Sequence, residues 1–346
     1  MKLVKTEDAA GHVLCHDITQ IIPGKTKGPV FKKGHVITND DIPVLLSVGK
    51  ENLYIWEKSE GMLHEDEAAK ILYDICAGTS KDFEPAGPSE GKITVTANTP
   101  GLLKIRGDAL LKVNSLGRMM IATVKGNLPV KKGEKVAGTR IIPLVIEEEA
   151  MDAARAAAGS EPVLSILPFV IKKAGIVTTG SEVASGRIED AFGPVIREKL
   201  SEYDVTVIDQ YITEDNTEKI KNAIKDLAAK GAEMILVTGG MSVDPDDVTP
   251  KAIADAGADV ITYGAPVLPG AMMLLSYLSY NKADIPVVGL PGCVMYAKRT
   301  VFDLVLPRLL ANDKITSSEI AGYGEGGMCR NCETCHFPNC GFASSV

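Results

Sequence analysis

The rhythm of hydrophobic and polar positions changes near residue 171, where short apolar runs begin to alternate with longer helical patterns. Short apolar runs bounded by small or polar residues are typical of buried strands, and apolar positions three and four apart are typical of helices. Their alternation predicts a mostly parallel sheet with helices on both faces. The predicted strands cover residues 175–178, 205–208, 234–237, 260–262 and 285–289, and the predicted helices cover 193–203, 217–230, 250–255 and 294–310.

The stretch 272–280 departs from this alternation, because another apolar run follows it after a short polar break. Asn281 and Lys282 supply the break, and asparagine is common in tight turns. We therefore expect 272–280 to pair with 285–289 as an antiparallel hairpin.

Residues 1–149 contain short β-like runs and Gly/Pro turns. Residues 93–97 alternate between polar and apolar, as a half-buried strand does. Residues 136–137 and 141–146 predict two strands around a turn at Gly138. Helices are predicted over 40–47 and 65–77.

These changes of pattern divide the chain into regions and predict an α/β fold class. Residues 1–149 are a β-rich N-terminal region, 150–170 a linker helix and connection, and 171–311 an α/β domain with a mostly parallel sheet flanked by helices. Residues 322–346 are a short cysteine-rich tail that cannot build an apolar core by itself.

Composition and charge narrow the classes of function. The net charge of the 346 residues is -8, and no sustained Lys/Arg run is present, so we expect no nucleic-acid partner. No apolar stretch is long enough to span a bilayer, and residues 1–17 lack an apolar signal core, so we expect no membrane partner and a cytoplasmic location.

Small and polar residues follow three of the predicted strands. Ligands of an open α/β sheet lie beyond the carboxyl ends of its strands, so the loops 179–182, 238–250 and 290–293 point to one binding edge. Glycine amides and hydroxyls suit a phosphate, whereas Asp244, Asp246 and Asp247 would repel it without a cation such as Mg²⁺. Alternatively, each glycine loop alone only forms a turn.

The segments 179–182, 238–250 and 290–292 resemble the three fingerprints of the molybdenum cofactor biosynthesis domain. Molybdopterin adenylyltransferases and molybdopterin molybdotransferases share this molybdopterin-binding domain. Asp247-Val248-Thr249-Pro250 is similar to the adenylyltransferases, and Thr179-Gly180-Ser181-Glu182 is similar to the molybdotransferases. The resemblance implies catalytic roles for Glu182, Asp190, Asp244 and Asp247, Mg²⁺ ligation by Asp244 and Asp247, and cofactor binding by Thr179, Gly180, Ser181, Gly239, Gly240, Ser242, Pro269, Gly270, Pro291 and Gly292.

The sequence also departs from the molybdotransferase pattern. Ser181 stands where those enzymes usually have Asp, and Pro269-Gly270-Ala271-Met272 lacks their basic residue. The cysteine tail stands in place of their small C-terminal β domain. These departures leave binding better supported than catalysis.

The tail carries the spacing Cys329-x2-Cys332-x2-Cys335-x4-Cys340. Thiolates bind zinc tetrahedrally and also hold iron–sulfur clusters, so both remain open as metals of this tail. The third alternative is that the tail binds no stable metal and serves as a redox or docking element.

The leading hypothesis is a transferase of molybdenum cofactor biosynthesis. It would bind molybdopterin and a Mg-nucleotide, ATP or CTP, and catalyse adenylyl transfer to the pterin or Mg-dependent insertion of molybdenum. The alternatives are a non-catalytic carrier or chaperone that delivers the cofactor to a molybdenum enzyme, and a regulatory binding module. The resemblance further implies a homo-oligomer.

Overall fold

The computed structural model describes residues 2–22, 26–55, 60–245 and 247–343. These residues form two compact units. The first contains 1–99, 105–124 and 132–165, and the second contains 100–104, 125–131 and 166–346. In the described part of the chain, no helix combines the length and the apolar character needed to cross a membrane.

The first unit is rich in β structure, as its sequence pattern predicts. Its largest sheet is antiparallel, with the order Phe83–Ser89, Lys92–Ala97, Lys135–Ile141 and Met119–Thr123. The other strands are Lys2–Lys5, Ile18–Ile22, Thr26–Phe31, Asn52–Ile55, Met62–His64 and Val145–Glu147, and the helices are Thr6–Asp8, Asp41–Ser47, Glu65–Ala77, Gly107–Asn114 and Glu148–Ala158.

The predicted turn at Gly138 is wrong. Gly138 lies inside the continuous strand Lys135–Ile141, where it pairs with Thr94 on one side and Ala122 on the other. A strand with a partner on both sides is held by hydrogen bonds along both edges, which outweigh the low strand propensity of one glycine.

Glu65 begins the helix Glu65–Ala77 and is a buried carboxyl group. Burial, and next the charge of Asp66, raise the pKa of Glu65 from 4.5 to about 7. A raised pKa in the folded state stabilises the protein at acidic pH, and this contribution is lost as the pH rises through about 7.

We therefore expect Glu65→Gln to unfold at a higher temperature than the wild type above pH 7, with a smaller difference at pH 5. Thermal unfolding followed by circular dichroism across this pH range measures the effect. Asp74→Asn, an exposed carboxyl change in the same helix, is the matched control. A pH-independent difference between wild type and Glu65→Gln would contradict the prediction.

The second unit is built on a six-stranded sheet. Its order is Thr206–Thr213, Lys173–Thr179, Met234–Thr238, Ala283–Leu290, Leu274–Tyr280 and Ala258–Tyr263. The first four strands are parallel, and Leu274–Tyr280 is antiparallel to both of its neighbours. The prediction of a mostly parallel sheet with an antiparallel hairpin is confirmed.

Helices cover both faces of this sheet, as predicted. They are Ser181–Ala184, Phe192–Ser201, Thr217–Ala229, Thr249–Asp255, Val301–Leu310 and Ser317–Gly322, with a 3-10 turn over Gly292–Met295. The unit also contains the strand Leu128–Val130 and all but the last residue of the strand Gly101–Ile105, and these two strands pair antiparallel. The strand Leu164–Leu167 is divided between the two units.

The predicted helix 294–310 is wrong in its first half. The helix starts only at Val301, because the Thr300 side chain accepts a hydrogen bond from Phe302 N and the Asp303 carboxylate accepts one from Thr300 N. This capping box fixes the first turn. Asp303 is also paired with the buried Lys199 at 2.7 Å.

The register places the carboxyl ends of the parallel strands at one edge. Thr178 lies opposite Thr238, and Thr238 lies opposite Leu290. Because Leu274 starts the antiparallel strand opposite Gly289, the loop that precedes it reaches the same edge. Four loops are therefore available for one site.

Candidate functional site

The first loop of this edge follows the strand Lys173–Thr179. Gly180 has φ +146°, a conformation that favours glycine, and its amide donates to Thr213 O at 3.1 Å. The Ser181 amide and hydroxyl donate to one carboxylate oxygen of Asp215, at 2.9 and 3.3 Å. Glu182 is exposed in the short helix that follows.

The second loop is packed tightly against the first through two left-handed glycines. Gly239 has φ +86°, and a Cβ atom there would lie 2.2 Å from Thr179 O. Gly240 has φ +55°, and a Cβ atom there would lie 2.8 Å from Thr249 Oγ1. The Thr179 and Thr249 hydroxyls are 3.4 Å apart. The two glycines thus let both loops form one surface.

Asp244 and Asp247 lie in the outer part of the second loop. Asp244 is exposed and Asp247 half-buried, and the Asp247 amide donates to Asp244 O at 2.9 Å. The Tyr263 hydroxyl donates to Met241 O at 3.0 Å and reaches the exposed Ser242 O at 3.2 Å. Burial, and next the Asp247 charge, raise the pKa of Tyr263. Asp246 lies outside the described residues.

Asp190 is held at the start of the helix Phe192–Ser201. Its carboxylate accepts hydrogen bonds from Phe192 N at 2.9 Å and Gly193 N at 3.1 Å, and from Gln210 Nε2 at 2.6 Å. Gln210 Nε2 also reaches the buried Thr178 Oγ1 at 3.0 Å. The Asp190 carboxylate is therefore fixed in orientation, and its first evident role is to begin this helix.

The remaining two loops place their glycines differently. Gly270 is buried with φ +125°, and a Cβ atom there would lie 2.5 Å from Val301, whose amide donates to Pro269 O at 3.1 Å. Pro291 is buried and accepts a hydrogen bond from Val294 N, whereas Gly292 is exposed. Gly292 is the more accessible of the two glycines.

The structure does not gather the tail cysteines around one point. Cys329 is half-buried, and Cys332, Cys335 and Cys340 are exposed without a disulfide. Across the ranges that the structure describes, no three His, Cys, Asp or Glu side chains form a group that could hold a metal ion. Asp244 and Asp247 lie in the same loop, but two carboxylates alone do not complete a Mg²⁺ site, so a ligand phosphate would have to add oxygens.

Sequence reasoning missed several residues that shape this edge. Asp215 follows the strand Thr206–Thr213, so the strand-end rule that selected the other loops would have found it. Gln210 and Tyr263 lie within strands, where nothing in their spacing distinguishes them from surface residues. Thr238 Oγ1 is buried without a hydrogen-bond partner among the described residues. A polar ligand group at the end of the strand Met234–Thr238 would supply that partner.

Two family models match the chain. Residues 175–311 match the model described as "Probable molybdopterin binding domain". Residues 3–57 match a model described as a domain of unknown function. The first match agrees with the resemblance seen in the three loop motifs.

Curated relatives match over a short segment. The chain is 38% identical over 85 residues to a CinA-like protein of Mycobacterium avium, covering 25% of this chain and 20% of that protein. It is also 38% identical over 85 residues to a molybdenum cofactor biosynthesis bifunctional protein of Synechococcus elongatus, covering 25% of this chain and 27% of that protein. The matched segment thus spans only 20% and 27% of the length of these relatives.

Among solved structures, the chain is similar to the tungsten cofactor synthesizing protein MoaB from Pyrococcus furiosus, with 21% sequence identity and a TM-score of 0.33. That match covers 41% of this chain and 89% of the other.

Proposed function

We propose that this chain catalyses Mg-dependent adenylyl transfer to the phosphate of molybdopterin. The proposal is supported by the match of residues 175–311 to the model described as "Probable molybdopterin binding domain". The observation that carries the proposal is the packing of Gly239 and Gly240 against Thr179 and Thr249. It brings the small-residue loop and the acidic loop into one surface, as a phosphate and its cation require.

The glycine loops would bind the pterin phosphate. Small residues let a ligand approach the backbone closely, and amides in turn conformations form anion-binding concavities. Ser181 and Ser242 are both exposed at this edge. The Ser242 hydroxyl can donate to a phosphate oxygen, and the Ser181 hydroxyl can do so if it leaves Asp215. The buried Thr238 hydroxyl, which has no hydrogen-bond partner among the described residues, is a further donor at the carboxyl end of the strand Met234–Thr238.

Asp244 and Asp247 would hold Mg²⁺. The donor set fits, because Mg²⁺ prefers oxygen ligands and is usually bound by one or two carboxylates together with substrate phosphates. When bound, Mg²⁺ would neutralise charge on the phosphates of the nucleotide. The Tyr263 hydroxyl, which donates to Met241 O and lies 3.2 Å from Ser242 O, would keep the acidic loop in place.

The proposed reaction requires positioning more than covalent catalysis by the protein. An oxygen of the pterin phosphate forms a bond to the α-phosphorus of ATP. The bond from that phosphorus to the bridging oxygen breaks, and pyrophosphate leaves. Asp190 and Glu182 are proposed to orient the substrates at this edge, with Asp190 fixed by the contacts to Gln210 and Gly193.

Pyrophosphate release tests this proposal directly. Protein is incubated with molybdopterin, MgCl₂ and either ATP or CTP, and we expect pyrophosphate to form only when pterin, Mg²⁺ and ATP are all present. Pyrophosphate from CTP and none from ATP would mean cytidylyl transfer and would overturn the proposal. A second incubation contains adenylylated pterin and molybdate. If AMP is released there and no pyrophosphate forms from ATP in the first incubation, molybdenum insertion replaces adenylyl transfer as the activity.

Asp247→Ala separates the enzyme from a non-catalytic carrier. An enzyme loses turnover, while a carrier has none to lose and shows weaker pterin binding only when Mg²⁺ is present. Isothermal titration with pterin, with and without Mg²⁺, measures this difference. Pterin binding without pyrophosphate or AMP formation by the wild type would identify the carrier.

A further inference from the structure

The C-terminal segment, residues 326–343, is packed into the second unit. Phe342 and Ala343 are buried in the apolar core of that unit. The Phe337 ring is partly buried against the same core, and its centre lies 6.2 Å from the centre of the Phe342 ring in a T-shaped pair. The Ala343 amide donates to Gly326 O at 2.7 Å, so the two ends of the segment meet. The segment is therefore part of the fold and can hold other parts of the unit in place.

The segment contacts the loop 264–271, which precedes the antiparallel strand at the edge of the proposed pterin site. The Leu268 amide donates to Gly327 O at 2.8 Å, and the Cys329 amide donates to Leu268 O at 2.8 Å. Leu268 directly precedes Pro269, which is one of the predicted pterin-binding residues. The segment thus binds both backbone polar groups of the residue next to the site.

Few other hydrogen bonds attach this loop to the unit. Within the part of the chain that the structure describes, its hydrogen bonds to residues outside 262–273 go to the backbone of Val301, Gly327 and Cys329 only. Two of these three partners belong to the C-terminal segment. The contact is also close, because a Cβ atom at Gly327 would lie 2.3 Å from Pro266 O. The position of the loop therefore depends on the segment.

A second contact joins the segment to the loop 291–300, which carries the predicted pterin-binding residues after the fourth parallel strand. The Arg299 guanidinium lies 5.4 Å from the centre of the Phe337 ring, and a guanidinium over an aromatic face is attracted to it. Arg299 also donates to the buried Asp303 carboxylate at 2.9 Å. This ion pair holds the guanidinium in place, so the Phe337 ring fixes the end of the loop.

We infer that the C-terminal segment is a positioning element of the proposed pterin site, and that it holds the loops 264–271 and 291–300 in the conformation that binds the ligand. Loops that are ordered before binding lose less conformational freedom when the ligand binds, which strengthens binding. The inference rests on the proposed function, because these loops matter for binding only if the chain binds molybdopterin. It assigns the segment no contact with the ligand itself.

Two glycine variants within the segment test its contact with the loop 264–271. Gly327→Ala places a Cβ atom 2.3 Å from Pro266 O, whereas a Cβ atom at Gly341 would meet nothing within 4 Å. We expect Gly327→Ala to weaken molybdopterin binding at least about tenfold, because small displacements of binding groups have large effects on their interactions. Gly341→Ala should bind like the wild type. Isothermal titration of the full chain with molybdopterin measures both affinities.

Two phenylalanine variants separate positioning from stability. Phe337 and Phe169 are both partly buried against the same core, and each forms a T-shaped pair, with Phe342 and Tyr203 respectively. Phe169 precedes the strand Lys173–Thr179, so it lies at the opposite end of the sheet from the site. Both changes to alanine should lower the free energy of unfolding, but only Phe337→Ala should weaken pterin binding. Phe337→Tyr keeps the ring and should restore the affinity.

Hydrogen–deuterium exchange of the ligand-free chain measures the loop directly. Gly327→Ala should speed the exchange of amides in 264–271 and leave the strand Met234–Thr238 unchanged. Gly341→Ala should change neither region. Circular dichroism confirms that each variant is folded, and the phenylalanine pair decides the question if Gly327→Ala does not fold.

The outcomes distinguish this inference from the proposed function. A wild type that binds no molybdopterin would overturn both. A wild type that binds it, with Gly327→Ala and Phe337→Ala within about twofold of its affinity, would overturn the inference alone. Equal losses of affinity in Phe169→Ala and Phe337→Ala, or weaker binding by Gly327→Ala without faster exchange in 264–271, would also overturn the inference.

Discussion

Asp247→Asn is expected to lower the rate of pyrophosphate formation about 100-fold or more, the cost of removing one key charge-stabilising group from a transition state. The amide keeps the size of the side chain but loses the charge that would hold Mg²⁺. Asp247 is half-buried beside Tyr263, so water compensates for this loss only in part. Pterin binding without Mg²⁺ should change little.

Steady-state rates at several Mg²⁺ concentrations measure the effect, which should include a higher Mg²⁺ requirement. Asp259→Asn is the control, because it removes an exposed carboxylate from the strand Ala258–Tyr263 of the same unit. If Asp247→Asn turns over within about twofold of the wild type, Asp247 is not a ligand of the catalytic metal.

Gly239→Ala should both destabilise the second unit and abolish pterin binding. A Cβ atom at this position would lie 2.2 Å from Thr179 O and 2.6 Å from Thr179 Oγ1, and the backbone is left-handed. Overpacking and an unfavourable φ each cost on the order of 1–3 kcal/mol, so we expect a loss of roughly 2–5 kcal/mol in the free energy of unfolding. The clash would also push the loop after Thr238 away from the loop after Thr179, and both loops belong to the proposed pterin site.

Gly231→Ala is a closely matched control. Gly231 has φ +88°, against +86° at Gly239, but a Cβ atom there would meet nothing within 4 Å. Alanine at Gly231 therefore carries the backbone cost alone, about 1–2 kcal/mol, and should leave pterin binding intact. Urea unfolding and pterin titration of both variants separate the cost of the left-handed backbone from the cost of the contact with Thr179. Equal destabilisation by the two changes would show that contact with Thr179 is unimportant.

The sheet of the second unit was predictable because its buried strands have a distinctive local sequence pattern. Each buried parallel strand is a nearly continuous apolar run, and each is followed by a turn signal. The family resemblance in the loops after these strands is confirmed for residues 175–311. The roles of individual site residues stay predictions.

The features that were not predicted depend on contacts between residues that are not adjacent in the sequence. Gly138 reads as a turn locally, but pairing on both sides makes it part of a strand. The delayed start of the last long helix depends on a capping box at Thr300, which competes with an apolar run that is helical by composition. Gln210 joins Asp190 to Thr178 across the sheet, and no local pattern encodes that contact.

The burial of Phe342 and Ala343 bears on how such a segment is inherited. A peptide appended to a finished domain would lie on its surface and could be lost in one evolutionary step. Here the two residues complete the apolar interior around Phe302, and exposing a phenylalanine of this kind costs about 1.5–3 kcal/mol. In a homologue without this segment, other side chains would have to cover the apolar surface around Phe302. We therefore expect the cysteines to be lost together with substitutions in this core.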